Sequence, residues 1–121
     1  MKRDMELVRL ILIEIEKQPS YFINIELIFN GYTQEEVSYH VMLLHEAGLI
    51  IAIDASSVSD LYWIPQRLTW EGYEFLEASK NNDIWNKTKD IMAKSGGFVF
   101  EVAKSILIKL IEQQITPYLG Q

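Results

Sequence analysis

Cysteine is absent from the 121-residue sequence, which excludes disulfide bridges, thiolate metal sites and a cysteine nucleophile. Glycine and proline are sparse, with six and three residues respectively, so the chain is not a low-complexity linker. Hydrophobic residues make up 49% and charged residues 23% of the sequence, as is typical of a globular chain. A chain of this length can bury a core without cross-links. The composition predicts a single domain and names no function.

A long uninterrupted apolar run is also missing. The N-terminal stretch from Asp4 to Lys17 mixes apolar with charged side chains, whereas a signal peptide needs an unbroken apolar region. The most apolar late stretch, residues 98–111, is broken by Glu101, Lys104 and Lys109 and is shorter than the roughly 20 residues of a membrane span. We therefore expect a cytoplasmic protein without a membrane partner.

Apolar spacings of three and four residues predict five helices. They cover residues 4–17, 33–48, 69–80 and 84–92, and a last stretch that ends near Gln114. Thr33 and Glu36 are spaced as a capping box at the start of the second helix, and Gly48 ends that helix. The residues expected to face inward are Trp70, Tyr73 and Leu76 in the third helix, and Ile84, Thr88 and Ile91, with Trp85 and Met92 beside them, in the fourth.

Two short β-type runs lie between the second and third helices. Residues 49–53 and 61–64 flank a polar loop, and Pro65 closes the second run, which predicts a hairpin with a long tip. Residues 21–29 are rich in aromatic and β-branched side chains and predict an extended segment, with a short helix as the alternative. The predicted fold class is α+β, mainly α.

The order helix, extended segment, helix and hairpin resembles a winged-helix domain. Residues 39–50 carry this resemblance at the helix-to-strand corner, and residues 67–76 carry it in the pattern L-T-x-x-G-x-x-x-L that follows the wing. The resemblance implies a winged-helix-like core over residues 1–80, with the hairpin as the wing. It is followed by C-terminal helices over residues 81–121, which we expect to pack on the core or to form a dimer interface.

Four separated motifs resemble a narrower, uncharacterised family that is common in phages and prophages. They are residues 1–5 (MKRDM), Gly31–Tyr32, residues 68–72 (LTWEG) and residues 85–89 (WNKTK). The resemblance implies a winged-helix-like fold and a mobile-element setting. It implies no known activity, so no functional residue is carried over from it.

The net charge of −6 is unevenly distributed. Bases and acids balance within residues 1–17 and within residues 67–121, whereas residues 18–66 contain no Lys or Arg. The acidic residues of that central stretch are Glu26, Glu35, Glu36, Glu46, Asp54 and Asp60. It contains the predicted recognition helix and wing, where a DNA-binding protein needs cations to neutralise phosphates. The charge pattern therefore disfavours duplex DNA as the partner of this surface.

The outer face of the second helix is the candidate partner-contact surface. At about 100° per residue, four residues lie opposite the apolar stripe of Val37, Val41 and Leu44. These four residues are Glu35, Tyr39, Met42 and Glu46. An exposed Tyr and Met between two acids resembles a protein contact, a solvated face with incidental apolar residues is the plainer interpretation, and a DNA contact is the third.

The last helix carries a wide apolar stripe. Its spacing of four, three and four residues joins Val99, Ala103, Ile106 and Leu110. Such a stripe at a chain end needs cover, which either the domain's own first helix or a second copy of the chain can supply. We expect a homodimer in the second case.

No enzyme signature is present. His40 and His45 lack the i, i+4 spacing of a helical metal pair, and we expect His40 to be a hydrogen-bonded structural histidine. Neighbouring carboxylates such as Glu35 and Glu36 do not face each other on a helix, and the sequence has no phosphate-binding glycine loop. We predict no catalytic residue, no cofactor and no metal site.

Two hypotheses follow. The first is a non-enzymatic winged-helix-type interaction module of phage or prophage origin that binds a protein partner and self-associates. The alternative is a DNA-binding transcriptional regulator of a phage or prophage, which rests on the fold resemblance alone. The expected phosphate contacts in that case are Lys2, Arg3, Lys87, Lys89 and Lys94.

Overall fold

The computed structural model describes residues 1–19, 25–97 and 99–119. Within them the chain is mainly helical with one two-stranded antiparallel sheet, which confirms the α+β, mainly α class. The elements are α1 (Met5–Glu16), α2 (Gln34–Glu46), β1 (Ile50–Asp54), β2 (Trp63–Leu68), α3 (Trp70–Ser79), α4 (Asn82–Lys94), α5 (Phe100–Ile115) and a short 3-10 helix (Thr116–Leu119). They fall into two compact units, Met1–Glu74 and Phe75–Gln121.

The core of the first unit forms where α1 and α2 meet each other and the hairpin. α1 buries one side, about 140° of its circumference, which carries Leu7, Val8, Ile11, Leu12 and Ile15. α2 buries its predicted stripe of Val37, Val41 and Leu44, because these residues recur on one side of a 3.6-residue period. The opposite side of α2 is thereby turned away from the core.

Both ends of α2 follow the sequence prediction. The Thr33 hydroxyl accepts a hydrogen bond from the Glu36 N–H at 3.1 Å, and the Glu36 carboxylate accepts one from the Thr33 N–H at 2.9 Å, which completes the capping box. The helix ends at Glu46, and Gly48 has a φ of +79°, a conformation that glycine adopts without steric cost. The chain then turns directly into β1.

The hairpin is longer than expected, and the prediction that Pro65 closes its second strand is wrong. β2 continues through Pro65 to Leu68, and the register shifts so that Ile51 pairs with Arg67 while Ala52 pairs with Pro65. One extra residue, Gln66, is thus inserted in β2 as a bulge. Proline is tolerated in a strand at such a bulge because the local ladder is already interrupted.

The prediction for the inner face of α3 is wrong for two of three residues. Leu76 is buried, but Trp70 is 79% exposed and Tyr73 is 46% exposed. The helix is rotated because Gly72 faces inward, where a Cβ atom would overlap the carbonyl oxygen of Leu49. Close backbone approach at a glycine therefore sets the rotation of α3, and the large aromatic side chains are left outside.

The inner face of α4 also differs from the prediction in one residue. Ile91 is 39% exposed, whereas Met92 is 2% exposed. The buried face is set by Trp85, whose ring packs edge-on against Phe75 at 6.2 Å between centroids. Ile84, Thr88 and Met92 share this side with Trp85.

The extended segment predicted over residues 21–29 lies partly outside the described residues, which resume at Ile25. From there burial alternates, with Ile25 and Leu27 buried and Glu26 and Ile28 exposed. This alternation is typical of extended chain, although residues 25–29 belong to no strand. No helix in the described part of the protein is long and apolar enough to cross a membrane.

Candidate partner-binding surface

A hydrogen-bond network of Asp4, Tyr32 and His40, here called the latch, connects α1 to α2 in the first unit. Asp4 is the N-cap of α1, and its Oδ1 accepts hydrogen bonds from the N–H groups of Glu6 and Leu7. Its Oδ2 accepts a hydrogen bond from the Tyr32 hydroxyl at 2.9 Å. The Asp4 N–H donates to His40 Nε2, also at 2.9 Å. One acidic residue thus joins the start of α1, the approach to α2 and α2 itself.

His40 is a structural residue, as the sequence predicts. Its side chain is 2% exposed, and Nδ1 lies 2.8 Å from the carbonyl oxygen of Glu36. Because Nε2 accepts from a backbone N–H, the ring proton is assigned to Nδ1, which donates to this carbonyl. Both ring nitrogens are therefore occupied in holding α1 to α2.

His45 holds the hairpin to α2, a role that the sequence analysis missed. Its Nδ1 accepts a hydrogen bond from the Ala52 N–H at 3.2 Å, and its ring lies 5.5 Å from that of Trp63. Ala52 is the residue opposite Pro65 at the bulge, so the imidazole bonds a backbone group at an interrupted ladder. In the sequence, the proline between β-type residues was the one sign that the strand ladder is interrupted here.

The burial of Tyr32 and its hydrogen bond to Asp4 also change the pKa of its hydroxyl group. Burial, the hydrogen bond to the Asp4 carboxylate and the negative charges of Asp4, Glu6 and Glu36 together raise the pKa of Tyr32 above its ordinary value. Each of these disfavours a phenolate. The latch is consequently built for a neutral tyrosine.

The outer face of α2 brings together the four residues predicted to share it, Glu35, Tyr39, Met42 and Glu46. Glu35 and Glu46 are exposed, while Tyr39 and Met42 are half-buried instead of exposed. The Tyr39 ring packs edge-on against His40 at 5.9 Å, which accounts for its partial burial. The face therefore consists of two charged ends and a less exposed apolar middle.

The hairpin tip beside this helix is an ordered polar loop. The Tyr62 N–H donates to the Ser56 hydroxyl at 2.9 Å, and the Ala55 N–H donates to the Tyr62 carbonyl at 2.8 Å. Hydrogen bonding by Ser56, first through its side chain and then through its backbone, lowers the pKa of Asp54. The Asp54 carboxylate, which accepts from the Ser56 N–H at 2.9 Å, is therefore charged at neutral pH.

Negative charge on this side of the first unit is not neutralised internally. The exposed acids of residues 18–66 are Glu26, Glu35, Glu46, Asp54 and Asp60. None of these five carboxylates forms an ion pair within the described part of the chain. Glu36, the sixth acid, is bonded in the capping box. The surface formed by α2 and the hairpin is thus anionic, and Arg67 near the end of β2 is its one Lys or Arg.

The candidate phosphate contacts are divided between the two units. Lys2 and Arg3 are exposed at the start of the first unit, and Lys87 and Lys94 are exposed on α4 of the second. Lys94 is paired with Asp90 at 3.0 Å. Lys89 is half-buried, with its ammonium 5.9 Å from the centre of the Trp85 ring, so it points away from the side that Lys87 and Lys94 share.

The predicted self-association stripe on α5 is divided by burial. Ala103 is fully buried and Val99 is 51% exposed, while Ile106 and Leu110 are half-buried. Three further exposed apolar residues, Val102, Ile108 and Ile115, lie outside the predicted stripe. The exposed apolar surface of α5 is therefore wider than the spacing of the stripe indicates.

The described residues bring together no group of three or more His, Asp or Glu side chains that could hold a metal ion.

Comparison with known proteins gives the family. Residues 2–98 match a family described as hypothetical protein DUF2513. The chain belongs to this family. The match extends over α1, α2, the hairpin, α3 and α4.

A curated relative of this DUF2513 protein is an uncharacterized protein of Haemophilus influenzae. The two are 38% identical over 119 residues, which cover 95% of this chain and 99% of the relative. No solved structure matches the chain. Membership of an uncharacterised family is thus confirmed, and it brings no activity with it.

The motifs that suggested an uncharacterised family contain several residues that hold this DUF2513 fold together. Asp4 and Tyr32 form the latch. Thr69 donates to the Gly48 carbonyl at 2.6 Å and accepts from the Gly72 N–H at 3.1 Å, and Trp85 lies in the core of the second unit. These motif residues have structural roles, which leaves the outer face of α2 and the hairpin as the candidate site.

Proposed function

We propose that the protein is a non-enzymatic, winged-helix-like interaction module that binds a protein partner through the outer face of α2 and the hairpin. The observation that carries the proposal is a set of four exposed carboxylates on α2 and the hairpin that form no ion pair in the described chain, namely Glu35, Glu46, Asp54 and Asp60. A cationic protein surface would neutralise them, and complementary charge directs both encounter and specificity.

The same charges argue against duplex DNA at this surface. Most of the affinity for duplex DNA comes from Lys and Arg that neutralise phosphates, and residues 18–66 have neither. The positive end of the α2 dipole attracts an anion by only about 0.3–1 kcal/mol at an exposed terminus. Glu35 in the first turn of α2 opposes that attraction.

Tyr39 and Met42 supply the apolar part of the proposed contact. Tyr is enriched at protein interfaces because it offers a large apolar body with a polar end, and Met adapts to irregular partner surfaces. Their partial exposure between Glu35 and Glu46 supports a small contact with an apolar centre and an acidic rim.

Self-association is a separate part of the proposal and concerns α5. Val99 and Val102, at the start of α5, are about half exposed, at 51% and 47%, and lie about 60° apart around the helix. We propose that a second copy of the chain covers the side that they share. Sedimentation of a Val102→Glu variant tests this part, because charge on a dimer face releases monomers. An unchanged sedimentation coefficient would contradict it.

The cytoplasmic location and the phage or prophage origin stay predictions of the sequence.

The second candidate function is DNA binding by a phage or prophage regulator. The observation that favours it is the pair of exposed lysines, Lys87 and Lys94, which lie seven residues and about 10 Å apart along one side of α4. Lys2 and Arg3 are the further cations of this hypothesis.

Fluorescence anisotropy of a labelled duplex titrated with the full chain separates the two functions. We expect no binding at concentrations on the order of tens of micromolar in low salt. Binding that weakens steeply as salt rises from about 50 to about 200 mM, and that falls with Lys87→Glu but not with the control Lys109→Glu, would overturn the proposed function. Lys109 is an exposed lysine on α5 that serves neither hypothesis.

A further inference from the structure

A groove crosses the candidate surface between α2 and the second strand of the hairpin. It has a volume of about 330 Å³. Its lining residues come from three segments, Ile25–Leu27, the first two turns of α2, and Tyr62–Pro65. A second cleft of about 490 Å³ lies between the start of α2 and the hairpin tip. Gln34 and Tyr62 line both, so the two clefts adjoin, and together they are here called the hairpin groove.

One end of the hairpin groove is apolar. Its lining includes the buried side chains of Leu27, Val37 and Val41. Tyr62, which is 40% exposed, forms the accessible wall, and Trp63 stands beside it. Apolar walls with a few polar groups are the usual lining of a recognition site.

The wall of Tyr62 and Trp63 is held in place by a hydrogen bond and a ring contact of Trp63, so the groove is formed without a ligand. The Trp63 N–H donates to the Ser38 hydroxyl at 3.3 Å, and the Trp63 ring lies against that of His45. Ser38 is 1% exposed, so this hydrogen bond is shielded from water.

The rim of the hairpin groove is anionic. Glu26 borders the apolar end, while Glu35 and Asp60 border the hairpin end. All three are exposed and without ion pairs in the described chain. An anionic ligand such as a nucleic acid is disfavoured here, and a ligand with apolar and cationic groups fits both ends.

We propose that the hairpin groove binds a short extended segment of a partner protein, with an apolar side chain at the apolar end and Lys or Arg side chains at the rim. The inference rests on the proposed function and names the partner's chemistry and the place of contact. The cations of such a segment match the three rim carboxylates. A volume of about 330 Å³ accommodates a few side chains but not a folded domain.

A random peptide library tests this proposal without knowledge of the partner. Displayed peptides of about nine residues, which extend over about 30 Å, are selected on the immobilised full chain. We expect the selected peptides to be enriched in Lys and Arg next to apolar residues. Anisotropy of a labelled selected peptide should show affinity that falls by about tenfold or more in the double variant Glu26→Lys/Glu35→Lys and in Tyr62→Ala.

Matched variants locate the contact. Glu74→Lys/Glu112→Lys makes the same charge change at exposed acids outside the groove and should leave the affinity within about twofold. Glu46→Lys changes the outer face of α2 but not the groove, and should lower the affinity less than the groove variants do. Circular dichroism confirms that each variant is folded.

Three results of the peptide experiments would overturn the inference. They are selected peptides without basic enrichment, equal loss of affinity in the control pair, and loss in Glu46→Lys but not in the groove variants. The last would leave the proposed function standing while moving the contact to the outer face. Release of a dimer by the groove variants would assign the groove to a second copy of the chain and would likewise contradict a basic partner segment. Failure of the proposed function shows instead in the duplex titration.

Discussion

The first unit has a closed side and an open side, and α2 contributes to both. On the closed side, His40 and Ser38 are buried and bonded to Asp4 and Trp63. On the open side, Glu35 and Glu46 are exposed and have no ion pair in the described chain. The inward polar groups of the helix bond other elements of the fold, whereas its outward charges interact only weakly with the rest of the protein. Substitutions on the two sides should therefore act on different quantities, stability on one and binding on the other.

The largest expected effect on the closed side is that of Gly72→Ala. The new Cβ would overlap the carbonyl oxygen of Leu49, which is also held by the Thr69 N–H at 2.9 Å and cannot retreat freely. We expect a loss of about 3 kcal/mol in the free energy of unfolding, measured by urea denaturation. Glu74→Ala, at an exposed position of the same helix, is the control. Equal stability of the two variants would contradict the close approach.

Asp4→Ala should have the next largest effect. It removes the N-cap of α1 and the acceptor of the Tyr32 hydroxyl, which together should lower the free energy of unfolding by about 2 kcal/mol. Asp4→Asn keeps one side-chain oxygen as an acceptor and should lose less than half as much. If Ala and Asn had the same effect, the latch would not be a source of stability.

Tyr32→Phe should cost about 1 kcal/mol at neutral pH and should change the response to alkali. The pKa of Tyr32 is raised in the folded state, so its stabilising contribution is present below the ordinary tyrosine pKa of about 10. That contribution is lost as the pH rises through the raised value. Wild-type stability should therefore fall towards that of Tyr32→Phe in an alkaline series of urea denaturations. A constant difference between the two proteins across the series would disagree with this assignment.

Charge reversal on the open side should change stability least, and with opposite signs at the two ends of α2. Glu35 lies in the first turn, where an acid interacts favourably with the helix dipole, and Glu46 is the last residue, where it interacts unfavourably. We expect Glu35→Lys to lower the free energy of unfolding by about 0.5 kcal/mol and Glu46→Lys to raise it by about as much. A loss above about 2 kcal/mol in either variant would mean that the open side also holds the fold.

Local signals in the sequence predicted much of the first unit. The capping box of Thr33 and Glu36, the buried stripe of α2 and the helix start at Thr69 each depend on residues within a few positions of one another. The latch could not be predicted in this way, because Tyr32 and His40 lie 28 and 36 residues from Asp4. The exposure of Trp70 was missed for a related reason. Its large ring favours burial, but the contact of Gly72 with the distant Leu49 decides the rotation of α3.

The charge of the candidate surface could be predicted from the sequence, whereas its shape could not. The absence of Lys and Arg from residues 18–66 is visible in the sequence, and helical geometry places Glu35 and Glu46 on one face. The hairpin groove depends on the approach of Ile25–Leu27 to Tyr62–Pro65 across the chain. The residue pattern within either segment does not indicate that the two segments lie close together.

The most direct test of the central claim is an NMR titration of the ¹⁵N-labelled full chain with duplex DNA in low salt. The claim is that α2 and the hairpin present an anionic surface that does not enter a DNA groove. The account predicts that the amide resonances of residues 34–46 and 54–62 keep their positions throughout the titration. Shifts concentrated in residues 34–39 that disappear as salt is added would contradict it.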